Sequence, residues 1–81
     1  MDIVKGMVVK SSAGRDKGGF FVITEVDGNY VQICDGKTRP LERTKRKKVK
    51  HLKPTKMSLE ESSMLTNREI RRSLNTLKKA D

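Results

Sequence analysis

Two stretches of this 81-residue chain hold side chains and backbone that could act together on a ligand. The first is "AGRDKGG", residues 13–19, in which Gly14, Gly18 and Gly19 bracket Arg15, Asp16 and Lys17. Glycine adopts φ > 0 freely and carries no Cβ, so such a loop can bring backbone amides close to an anion. The second is "KTRPLERTKRKKVKHLKPTK", residues 37–56, with ten basic residues and a single acid, Glu42. Its local charge of +9 equals the net charge of the whole chain, so the rest of the molecule balances to zero. Charge focused in this way fits a polyanion, the plain alternative being a solvated face or a nuclear-import signal.

Lysine and arginine gain affinity by releasing counterions from phosphates, and about five to eight such contacts make binding fall steeply with salt. The expected contacts are Arg15, Lys17, Lys37, Arg39, Arg43, Lys45, Arg46, Lys47, Lys48 and Lys50, with Gly14, Gly18 and Gly19 supplying the loop. Single-strand readers stack bases on exposed aromatic rings. Only Phe20, Phe21 and Tyr30 exist here, and at least one must serve the core. Contacts to the backbone of a structured RNA therefore suit the composition better than base stacking.

Catalytic chemistry finds no footing. No paired carboxylates, nucleophile triad, P-loop or metal constellation can be assembled, so neither an enzyme nor a cofactor or metal is expected. His51 stands among lysines without a second ligand at metal spacing, and Asp16 reads as a turn former. Cys34 is the one cysteine, expected to be a small buried residue in a protein of a reducing compartment. The longest continuous apolar run, Phe20 to Ile23, is four residues, too short for a signal peptide or a membrane span. A cytoplasmic protein with no membrane partner is the expectation.

The elements that must position these residues are mostly strands. "IVKGMVVKSS" is rich in β-branched residues and bends at Gly6, and "FFVITEV" is continuous enough for a central strand. Phe20 and Phe21 must face opposite ways there, which leaves the outward ring available to RNA. Asp27-Gly28 and Asp35-Gly36 bound "NYVQIC", and Asp-Gly between β-rich runs predicts hairpins with type I′ turns. Val31 and Ile33 should point inward and Tyr30, Gln32 and Cys34 the other way. "TRPLER" and "KKVKHLK" are further strand candidates, with Pro40 at an edge or a start. Five short strands in residues 3–54 predict a meander curling into a small barrel, closed off by Pro54.

The division expected is a β-barrel domain over 1–54, a polar linker over 55–65 and an amphipathic helix over 66–80. Thr66 and Glu69 form a capping box, Leu65 and Ile70 a hydrophobic staple, and Ile70, Leu74 and Leu77 an apolar stripe. A helix of three or four turns is marginal alone in water. Its stripe must meet either the barrel or another protein.

With that frame in place, "GMVVKSSAGRDKGGFFVITEV", strand, glycine loop and strand from Gly6 to Val26, resembles a KOW motif. Through "DGKTRPLERTKRKK" and "KHLKPT", residues 4–54 resemble the KOW domain of the fourteen-e family of large-subunit ribosomal proteins. The resemblance implies a mainly β, five-stranded Src-homology-3-like barrel that binds RNA, ribosomal or otherwise structured, within a translation or transcription complex. It maps the family's glycine loop onto Gly14 to Gly19, flanked by Arg15 and Lys17. Residues 55–81 match no feature of that family. A second expectation follows from elongation factors whose KOW modules dock on polymerase: an adaptor meeting a ribosomal or other protein through the barrel face and the C-terminal helix.

Overall fold

The β-branched density of "FFVITEVD" has a direct consequence in the computed structural model, which describes residues 3–80. Strand β2, Phe20–Asp27, is the middle strand of a five-stranded antiparallel sheet ordered β4-β3-β2-β1-β5. Strand β1 is Met7–Ser11, β3 Tyr30–Cys34, β4 Lys45–Lys48 and β5 Leu52–Ser58, and helix α1 follows over Asn67–Ala80. The chain is thus mainly β with a C-terminal helix. The ladders recorded among the described residues join β4 to β3 and β5 to β1, and none joins β4 to β5.

Alternation along the strands sorts apolar side chains to two faces. On the inner face Val9, Phe21, Ile23, Val31, Ile33 and Leu52 form one buried cluster. On the outer face Val8, Val22 and Cys34 pack against Ile70 and Leu74 of α1 and against Met64. Burial of each such aliphatic side chain contributes about 1.5–3 kcal/mol. The stripe expected to need a partner has therefore found one in its own sheet: Ile70 is 0% and Leu74 3% exposed. Gly36, at φ +77°, lets the β3–β4 connection lie directly against the helix N-terminus, where a Cβ would run into the Asn67 carbonyl.

Several local expectations are corrected. "TRPLER" is not a strand; Pro40 precedes a 3-10 turn over Leu41–Arg43, and Leu41 donates its amide to Asn67 Oδ1 at 2.7 Å. "KKVKHLK" holds the end of β4, a 3-10 turn at Val49–His51 and the start of β5. Pro54 does not end the sheet, because β5 runs on to Ser58 as an edge strand, where proline costs no ladder bond on the solvent side. The segment 55–65 expected as a linker instead contains half of β5 and a 3-10 turn, Glu61–Met64, that buries Met64.

The hairpin at Gly28 is real but of another type. Gly28 has φ +61° and no non-glycine residue among those described has positive φ. The loop between β2 and β3 is Gly28-Asn29, glycine at the first central position, which fits type II′ rather than I′. At α1 the Glu69 amide donates to Thr66 Oγ1 at 3.1 Å, as the capping box requires. The staple is not made by Leu65, which is 69% exposed; Met64 is buried in the helix-side cluster instead.

Candidate nucleic-acid interface

The glycine loop is built from the inside. Gly14 and Gly18 have φ +76° and +88°, so the chain can reverse twice between β1 and β2. The amide of Lys17 donates to Gly14 O, that of Gly18 to Ser11 O and that of Gly19 to Asp16 O, at 3.2, 2.8 and 2.9 Å. These three amides are spent within the loop. Gly19 is small for packing: an added Cβ would come within 2.9 Å of the Phe21 ring. Gly14, Arg15, Lys17 and Gly18 are exposed at the tip.

Asp16 turns inward and decides what the nearest cations can do. Its carboxylate lies 3.7 Å from Arg39 Nη2, 3.5 Å from Lys45 Nζ and 3.6 Å from Lys47 Nζ, with the Asp16 side chain only 10% exposed. Lys47 also donates to Ala13 O at 2.8 Å, and its side chain is 7% exposed. A residue expected at the RNA surface is thus buried, its charge closing the loop onto β4. Asp16 Oδ2 accepts no hydrogen bond from the described residues and is balanced by ion pairing alone.

Strand β4 divides by alternation. Lys45 and Lys47 stand opposite Ile33 and Val31 on the loop side, whereas Arg46 and Lys48 stand opposite Gln32 and Tyr30 on the other face. There the Arg46 guanidinium lies 3.9 Å from the Tyr30 ring centre and Lys48 Nζ 6.0 Å. Tyr30, Lys48 and Lys50 border a shallow cavity of about 470 Å³ with Asn29 and Val49. Glu25 and Asp27 flank the same ring on the β2 side, which confines this cationic strip to the β4 edge. The sequence reading missed Tyr30 as a site residue; the signal was the alternation of Arg46 and Lys48 with it once β3 and β4 pair.

Asp35 organises the next turn. Burial opposes its charge, but hydrogen bonds from the Thr38 hydroxyl and from the amides of Arg39, Lys37 and Thr38 outweigh that and hold its carboxyl below the usual range. The turn points Arg39 toward Asp16 and sets Lys37 beside Arg71 and Lys78 of α1. Arg43 is exposed on the following 3-10 turn. Arg15, Lys17, Lys37, Arg43, Arg46, Lys48 and Lys50 form no ion pair with a carboxylate among the described residues.

The remaining sequence candidates are passive. Cys34 is fully buried, and burial, with the nearby Asp35 and Glu42 carboxylates, raises its thiol pKa despite a backbone hydrogen bond from Gly36. Phe20 is the outward ring, lying between Lys10 and Lys78 at 5.7 and 5.9 Å and half-buried against α1. His51 is half-buried, and no cluster of three metal-ligating side chains occurs among the described residues. Among the described residues no helix is long and apolar enough to cross a membrane. Comparison with known proteins returns no matching family model and no matching curated relative.

Proposed function

We propose that this chain is a non-enzymatic RNA-binding module, acting in the cytoplasm on ribosomal or other structured RNA and gripping it through phosphates. The observation that carries the proposal is a group of expected contacts that have no carboxylate partner among the described residues: Arg15 and Lys17 at the loop tip, Lys37 and Arg43 on the β3–β4 connection, and Arg46, Lys48 and Lys50 along the β4 edge. Arg39 and Lys45, about one third exposed, contribute in part, and Lys47 holds the loop in place. Tyr30 adds one ring on which a base or sugar can rest beside Arg46. The resemblance to KOW domains of the fourteen-e ribosomal family supports the same reading.

Titration with a structured RNA at two salt concentrations tests it. Seven such cations predict a slope of log K against log[salt] of about −5 to −6, at about 0.7–0.9 per phosphate neutralised. Absent or salt-insensitive binding overturns the proposal. The adaptor reading loses much of its surface, since the stripe of α1 is covered by the sheet and the exposed large apolar side chains among the described residues are Val4, Val26 and Leu65. Partners retained after nuclease treatment favour it; partners lost with the RNA do not.

A further inference from the structure

Helix α1 carries a face that the apolar stripe does not explain. Ile70, Leu74 and Leu77 turn to the sheet, and at 100° per residue the opposite side of the helix is Arg68, Arg72, Asn75 and Lys79, flanked by Arg71 and Thr76. These six residues border one shallow groove of about 340 Å³. Arg68, Arg72 and Lys79 are exposed and pair with no carboxylate of the described residues. Over Asn67–Ala80 the one acid is Glu69, and it is engaged with Thr66 at the helix start.

Ordinary surface helices lower their energy by placing acids in the first turns and by pairing opposite charges four residues apart. Here that pattern is met only at the ends, by Glu69 in the first turn and by Lys78 and Lys79 in the last. Arg68, Arg71 and Arg72 lie in the first half, at the positive end of the helix dipole, and Arg68 and Arg72 are a like-charged pair four apart. The arrangement costs the free helix stability and is relieved by an anion lying along it. The face is also continuous with the interface above, because the Asp35 turn sets Lys37 beside Arg71 and Lys78.

We propose that α1 is a second phosphate-binding surface for the same RNA, with Arg68, Arg72 and Lys79 as its contacts and Asn75 as a neutral donor between them; the Thr76 hydroxyl donates to the Arg72 carbonyl at 3.0 Å. It rests on the RNA-binding reading and extends it from the loop and β4 edge around to the helix. The test compares the full chain with the Arg68→Gln/Arg72→Gln double variant on one structured RNA across a salt series, together with thermal melts of the free proteins. Glutamine nearly matches arginine in helix propensity and removes the charge. The variant is expected to melt no lower than the parent, to bind about tenfold more weakly and to reduce the salt slope by about two. Unchanged affinity and slope in the variant, with the parent binding normally, overturn the helix assignment alone. If the parent itself shows no salt-dependent binding, both readings fall.

Discussion

The glycine-loop side and the helix side of this molecule carry similar numbers of basic residues, yet they use them differently. On the loop side one carboxylate, Asp16, lies within 3.5–3.7 Å of Arg39, Lys45 and Lys47, and Lys47 is buried. On the helix side Glu69 is committed to the cap and the arginines form no ion pair among the described residues. Charge in the first region works largely as structure, whereas in the second it remains available. A count of lysines and arginines in sequence does not separate the two, since the separation comes from a single acid, the fifth residue of the β1–β2 loop.

The sharpest break in that comparison is at the glycines. Gly36→Val combines positive φ with a collision against the Asn67 carbonyl, and should undock α1 at a cost of about 3 kcal/mol or more. At about 4–8 °C per kcal/mol for a domain this size, the melting temperature falls by 12 °C or more. Removing the central acid comes next. Asp16→Asn leaves Lys47 buried without its countercharge and should cost about 3 kcal/mol in chemical denaturation. Affinity for RNA in the protein that remains folded should hold or rise, as Arg39 and Lys45 are released. Gly18→Val meets no atom within 4 Å and suffers only its positive φ, so a loss of about 1–2 kcal/mol is expected.

Strand β4 sharpens the comparison within four residues. Arg46→Ala and Lys48→Ala should each lower RNA affinity several-fold and reduce the salt slope by about one, whereas Lys47→Met should leave the slope unchanged. A uniform response across the strand contradicts the division of its faces. The smallest effect is in acid. Because the Asp35 carboxyl is held below its unfolded value, its stabilising contribution is complete above about pH 4 and fades as pH falls through the lower folded value. Asp35→Asn should abolish that part of the acid dependence of the melting temperature.

Much of the fold was legible because it rests on local rules. β-branched runs, the Asp27-Gly28 signal and the Thr66 cap located β1 to β3 and the helix start, whereas Asp35-Gly36 opens a ten-residue connection with a 3-10 turn and not the expected tight hairpin. What escaped depends on contacts distant in sequence. "TRPLER" has strand-like residues, but Leu41 and Glu42 are drawn to Asn67 across 25 or more positions. The segment after Pro54 looks polar, yet Thr55 bonds Val8 O and Met64 enters the helix-side core. Site residues were legible as a class and not as individuals. Lys47 and Lys48 are neighbours of the same type, and only the pairing of β4 with β3 assigns one to the interior and the other to solvent.

The most direct measurement is a residue-resolved NMR titration of the full chain with a structured RNA, following lysine and arginine side-chain signals. The account predicts large shifts at Arg46, Lys48, Arg68 and Arg72, with Lys47 nearly unmoved. Shifts centred on the Lys5–Glu61–Leu65 side, with the β4 edge and α1 silent, would contradict it.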